Sequence, residues 1–186
     1  MRIVLASASP RRQELLRNAG IEFAVQPASI DEIRITGEAA TDFAKRMARE
    51  KAQAVRKSLR EEWILAADTI VVVVGEVLGK PTDDEDATCM LRLLAGREHQ
   101  VITAVCLLGA DFEDVRSEST TVYFSPMSDT EIRDYIVTGE PMDKAGAYAI
   151  QGIASRWIAK IEGDYSNVVG LPVDLVWRML REHGGG

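Results

Sequence analysis

Arg2-Ile3-Val4-Leu5-Ala6-Ser7-Ala8-Ser9-Pro10-Arg11-Arg12 is the stretch whose reading decides the fold class. Residues 2–6 are short and apolar and read as a buried strand, with the small residues Ser7 and Ala8 forming a loop at its end. Ser9 is a good N-cap, because its hydroxyl can accept from the free N–H groups of a first helical turn. Pro10 suits the next position, where no N–H is needed. Leu15, Leu16 and Ala19 give the following helix one apolar face, which stops at Gly20.

The alternation of strand and helix continues outward from this opening. Residues 21–26 form a candidate second strand, and residues 41–59 a long helix with Phe43, Met47, Ala54, Val55 and Leu59 at helical spacing. Residues 63–67 and 70–74 are two apolar runs hinged at Asp68-Thr69, followed by a tight turn at Gly75-Glu76 into Val77-Leu78. Residues 83–94 read as an amphipathic helix stopped by Gly96, and residues 101–108 and 115–124 as a long hairpin. Ser128-Asp129-Thr130-Glu131 has capping-box spacing and opens a helix that runs to Gly139. A late strand at 158–161 and a last helix at 172–181 complete the pattern. It predicts an α/β fold, a mixed twisted sheet with flanking helices in two lobes around a cleft. One domain over residues 1–183 is expected, with Gly184-Gly185-Gly186 as a disordered tail.

The chain has 186 residues, 46% hydrophobic and 27% charged, which is enough for a sizeable core. No apolar run approaches the ~20 residues that span a bilayer. The longest, around residues 65–74, is broken by Asp68, and the N-terminal run has no small-residue cleavage site. A cytoplasmic location is expected. A net charge of -7 argues against stable nucleic-acid binding by bulk electrostatics, while leaving room for a local basic pocket that takes a polyanion. Cys89 and Cys106 lie in apolar stretches without a CxxC pair and are expected to be buried, reduced thiols. His99 and His183 are too few and too scattered for a zinc site.

The chemistry collects in a few places. At Ser7 to Arg12 a helix begins with two guanidinium groups in its first turn. Unpaired N–H groups and the helix dipole favour an anion there, and arginine forks match phosphate oxygens. The alternative is a capped helix with two solvated arginines. Asp68 interrupts an apolar stretch and caps no helix. A carboxylate held there is costly unless it meets a cation or strong donor, which metal binding or general-base work would supply. The alternative is a turn aspartate facing water. Asp31-Glu32 follows the second strand in a loop, where a carboxylate could ligate Mg²⁺. Glu50 and Lys51 lie within the long helix, and Lys80-Pro81 follows the Gly75 turn. Together these acids and cations suit a Mg²⁺-bound triphosphate, although no Walker loop or glycine fingerprint is present.

Ser7-Ala8-Ser9-Pro10-Arg11-Arg12, Arg49-Glu50-Lys51-Ala52, Ala67-Asp68-Thr69 and Gly79-Lys80-Pro81 resemble, in order, successive motifs of the Maf family. So do Asp143-Lys144-Ala145-Gly146-Ala147-Tyr148 through Gln151-Gly152, and Val168-Val169-Gly170-Leu171-Pro172. The resemblance implies a Maf/Ham-like fold whose cleft binds a nucleoside triphosphate, with divalent-metal-dependent (Mg²⁺ or Mn²⁺) release of pyrophosphate. It also implies a cytoplasmic homodimer with a housekeeping or division-arrest role. By position, Asp68 corresponds to the catalytic acid/base, and Ser7, Arg11, Glu32, Lys51 and Lys80 to phosphate- and metal-handling residues, with Glu32 and Asp68 on the metal. One departure is that Ile153-Ala154-Ser155, where the family often has further glycines, follow Gln151-Gly152, so a stiffer loop is expected.

The positions matching Arg12, Thr69 and Gln151 resemble those of a dTTP/UTP subgroup, whereas a sister subgroup acting on 7-methyl-GTP carries a bulky aromatic, Gln and Glu. Thymine and uracil present an acceptor–donor–acceptor edge, which the neutral Gln151 amide can meet with one donor and one acceptor. Guanine presents two adjacent donors, which a carboxylate suits better. A nucleotide-sensing regulator of septum formation, binding without turnover, is the competing function; the intact Asp68 speaks against it, since binding alone needs no general base.

Overall fold

The computed structural model describes residues 2–57, 59 and 62–184. Strand β1 (Ile3–Leu5) is buried along its length between β2 (Phe23–Val25) and β3 (Trp63–Val73), and is parallel to both. With a parallel partner on each side, such a strand reads as a continuous apolar run without alternation. Among the described residues six of the sheet's seven strands follow the order β2-β1-β3-β5-β6-β7, where β5 is Glu98–Leu108, β6 Glu113–Phe124 and β7 Ile158–Glu162. The short β4 (Glu76–Leu78) pairs antiparallel with β3, and β7 antiparallel with β6. The sheet is therefore mixed, as expected.

The chain divides into two compact units. The first comprises Met1–Thr69, Thr103–Glu118 and Gly170–Gly186. It contains α1 (Pro10–Asn18), α2 (Ala40–Arg56) and α6 (Val173–Glu182). Ser9 caps α1 by accepting from the Arg12 N–H, and α2 buries Phe43, Ala44, Met47, Ala48, Ala52 and Val55 along one stripe. Leu5, Leu16, Leu65, Leu107, Leu171 and Met179 are central to this unit's core.

The second unit comprises Ile70–Ile102 and Ser119–Val169. It contains α3 (Asp84–Leu94), α4 (Asp129–Val137) and α5 (Tyr165–Val169), with Leu91, Leu94, Val122, Ile132, Tyr135 and Trp157 in its core. The Ser128 capping box is formed in both directions. His99 is buried, with Nε2 2.8 Å from the Tyr148 hydroxyl, and burial pushes its pKa down to about 4, so the ring is neutral.

Four expectations are corrected. The chain does not hinge at Asp68-Thr69: β3 runs unbroken through both, because each polar side chain has a partner inside the protein. The tight turn falls at Val74-Gly75, with φ of 49° and 81°, one position before the expected Gly75-Glu76. Of the two thiols only Cys106 is buried; Cys89 is exposed, since the buried stripe of α3 runs through Ala87, Met90, Leu91 and Leu94 and leaves position 89 outside it. The long helix ends at Arg56, short of residue 59. The short helix α5, immediately before Gly170, was not anticipated. Of the expected glycine tail, Gly185 and Gly186 lie outside the described residues.

Candidate active site

The first unit places a buried carboxylate on its central strand. Asp68 is 5% exposed on β3, behind the fully buried Ala66 and Ala67. A water-facing turn aspartate is thereby ruled out. Lys51 reaches it from α2, because position 51 lies four residues after Met47 and four before Val55 on the buried stripe. The Lys51 ammonium donates to Asp68 Oδ1 at 2.6 Å and also meets Glu32 Oε1 at 2.7 Å. Burial pushes the Asp68 carboxyl above the usual carboxylate range, and the Lys51 ammonium opposes that shift without cancelling it.

Glu32 comes from an irregular segment between β2 and α2, and Arg46 of α2 holds that segment. Its Nε and Nη2 donate to the two Glu38 carboxylate oxygens at 2.7 Å each, Nη2 also donates to the Ile33 carbonyl at 2.9 Å, and Nη1 to Glu50 Oε1 at 3.0 Å. The Arg46 hydrogen bonds hold the Glu38 carboxyl down to about 2. Such a bidentate fork fixes position as well as charge.

Arg12 is not a solvated helix arginine. Its Nε donates to the Gly170 carbonyl at 2.8 Å, Nη1 to the Ala67 carbonyl at 2.8 Å and Ser7 Oγ at 3.3 Å, and Nη2 to Thr69 Oγ1 at 3.0 Å. Thr69 Oγ1 is also 2.9 Å from Thr103 Oγ1. The guanidinium thus ties the β1–α1 loop, both residues flanking Asp68, and Gly170 into one network. Gly170 has a φ of 128°, a conformation that an L side chain rarely adopts. Ser7 is buried, and its Oγ also accepts from the Ser9 N–H at 3.2 Å. Arg11, half-buried, stands in the first turn of α1.

Ser7, Arg11, Arg12, Glu32, Lys51, Asp68 and Thr69 all belong to this first unit, whereas Lys80 and Gln151 belong to the second. Lys80 is exposed just after β4, next to the buried Pro81. Gln151 is exposed on a turn closed by the Gly152 N–H to the Ala149 carbonyl at 3.1 Å.

Among the described residues no group of three His, Cys, Asp or Glu is placed to hold a metal ion. Mg²⁺ does not need one, since it is commonly held by one or two carboxylates together with substrate phosphates. Glu32 and Asp68 fit that pattern: both touch one ammonium, so two hard oxygen donors converge on a single cation.

Sequence reasoning missed Glu38, Arg46, Thr103 and the Gly170 carbonyl. The spacing of Arg46 and Glu50, four apart on a helix, was a readable signal for one of them. A backbone carbonyl as arginine acceptor leaves no trace in residue identity.

The fold and this carboxylate–cation site define an α/β protein equipped for polyanion chemistry. The solved structure of the Ham1 protein of Staphylococcus aureus shares the fold, with a TM-score of 0.54 at 16% identity over 98% of this chain and 100% of that one. Residues 2–183 match the family described as Maf-like protein, and the chain belongs to that family. Relatives named dTTP/UTP pyrophosphatase include one from Koribacter versatilis, 53% identical over 99% of this chain and 95% of its own length. Another, from Syntrophomonas wolfei, is 53% identical over 97% and 96%, and one from Geobacter sulfurreducens is 51% identical over 98% and 97%. No helix among the described residues is long and apolar enough to cross a membrane.

Proposed function

We propose that this chain hydrolyses dTTP and UTP to the nucleoside monophosphate and pyrophosphate, with Asp68 as the catalytic group. The observation that carries this reading is identity above 50% over nearly the whole chain to relatives named for that activity.

In the reaction a water oxygen attacks the triphosphate, the α–β anhydride bond breaks, and the water's proton passes to Asp68. Burial makes Asp68 a stronger base than a free aspartate, and the Lys51 ammonium opposes that shift by favouring the ionised form. Glu32 and Asp68 would hold a divalent cation, Mg²⁺ or Mn²⁺, which supplies charge neutralisation and a more acidic bound water. Arg11, Lys51 and Lys80 neutralise phosphate oxygens, with Ser7 donating at the β1–α1 loop. Arg12 spends its donors on Ser7, Ala67, Thr69 and Gly170, so its contribution is to shape the pocket with Thr69. Gln151 meets the pyrimidine edge. A cytoplasmic homodimer is part of the same reading.

The test is product analysis with purified protein, Mg²⁺ and a panel of dTTP, UTP and 7-methyl-GTP. Pyrophosphate from the two pyrimidine nucleotides is the expected outcome. Orthophosphate as product, preference for 7-methyl-GTP, or tight binding without turnover would each overturn it, the last in favour of a nucleotide sensor acting on septum formation.

A further inference from the structure

The turn that carries Gln151 is held from beneath by a carboxylate. Glu140 follows Gly139 at the end of α4, and its side chain reaches the backbone of the turn. The Ile153 N–H donates to both carboxylate oxygens, at 3.0 and 3.1 Å. The Tyr135 hydroxyl, on a side chain only 1% exposed, donates to Glu140 Oε1 at 2.8 Å. Gly152 makes this approach possible: a Cβ there would lie 2.1 Å from Glu140 Oε1 and 2.5 Å from the carboxyl carbon. Gln151 therefore sits between two fixed points, the turn bond from Gly152 to Ala149 and the clamp on Ile153. Its side chain is exposed, so the backbone of the turn decides where the amide emerges.

We propose that Glu140, oriented by Tyr135 and admitted by Gly152, is a positioning residue for nucleobase selection. It touches no substrate and acts by fixing the Gln151 amide for the pyrimidine edge. The inference rests on the reading of Gln151 as the base contact. The Ile153-Ala154-Ser155 segment joins the clamp because it supplies the N–H that Glu140 holds, and the Ser155 N–H to Gly152 carbonyl bond at 3.1 Å continues the same brace.

The experiment compares kcat/KM for dTTP and dATP in wild type, Gln151→Ala, Glu140→Ala, Glu140→Gln and the Glu140→Ala/Gln151→Ala double variant. Gln151→Ala should lower the dTTP/dATP ratio about tenfold, as expected when polar contacts to the base are lost. Glu140→Ala should lower it about fivefold, mainly through the KM for dTTP, and add nothing further on top of Gln151→Ala, since residues acting through one contact are non-additive. Glu140→Gln keeps one carbonyl acceptor and should recover most of the ratio; it also carries the test should the alanine variant fail to fold. An unchanged ratio in Gln151→Ala would sink the base-contact reading itself. A changed ratio there, with Glu140 variants that lose kcat equally on both nucleotides or add independently to Gln151→Ala, would overturn the positioning role alone.

Discussion

The Asp68 region of the first unit and the Gln151 turn of the second, the two places proposed to meet the substrate, hold their polar groups in opposite ways. Around Asp68 the groups are withdrawn from water and satisfied by one another: Lys51 by two carboxylates, Arg12 by four acceptors in the protein. At Gln151 the amide proposed to meet the base is exposed, and the turn beneath it is held through the backbone. Buried ion pairs place charge firmly but carry a desolvation cost. An exposed amide avoids that cost and depends on its support for direction. Strong effects on rate are therefore expected from the first region and effects on choice of substrate from the second.

Asp68→Asn gives the sharpest form of this contrast. Turnover should fall on the order of 10³-fold through loss of the general base. The raised carboxyl means that the folded protein binds that proton more tightly than the unfolded chain, so its ionised form costs stability above the unfolded pKa. The variant's unfolding temperature at neutral pH should accordingly match or exceed that of wild type. A large fall in melting temperature, or near-normal turnover at saturating Mg²⁺, would break the picture of a strained functional carboxylate.

Lys51→Met should cost on the order of 10²-fold in kcat/KM, by removing both a phosphate cation and the partner of Asp68. Without the ammonium, the Asp68 pKa rises further and the acidic limb of the pH–rate profile should move to higher pH. A limb that stayed in place would mean that the limb reports another group.

Lys80→Ala should lower kcat/KM about thirtyfold and equally for dTTP and UTP, because a lysine acting on phosphate does not touch the base. A strong change in base preference there would erase the division between the two regions. The smallest effect is reserved for Gln151→Glu. It should weaken dTTP hydrolysis roughly tenfold, since a carboxylate offers no donor to the pyrimidine carbonyl. It should leave melting temperature and metal dependence alone, and it should not by itself create a 7-methyl-GTP enzyme. An unchanged ratio of dTTP to 7-methyl-GTP activity would move base recognition to the backbone.

Much of this was legible in the sequence. Ser9-Pro10 announced α1, the 128–131 capping box announced α4, and Asp68 declared itself by interrupting an apolar run. Periodicity and caps are local, so one chain segment suffices to read them. The partner that makes Asp68 tolerable in a strand is 17 residues away on a helix, and without it the sequence suggested a hinge. Arg12 was recognisable as special but its partners were not, because Gly170 lies 158 residues further on and contributes only a carbonyl. Side-chain chemistry is written in residue types, whereas its satisfaction is written in tertiary contacts.

The first unit is assembled from three separate stretches of chain, and its last stretch begins only at Gly170. Helix α6 contributes Leu175, Val176, Met179 and Leu180 to a core whose other members reach back to Ile3. On a ribosome β1 and α1 would emerge long before α6, which completes their hydrophobic face, and before Gly170, whose carbonyl receives the Arg12 Nε. The second unit also waits for its last stretch, but that stretch ends at Val169, just ahead of Gly170. A nascent chain exposed to solvent only as far as residue 169 should therefore hold the later-numbered core in shape while the amino-terminal one stays open, an order of birth opposite to the order of the letters.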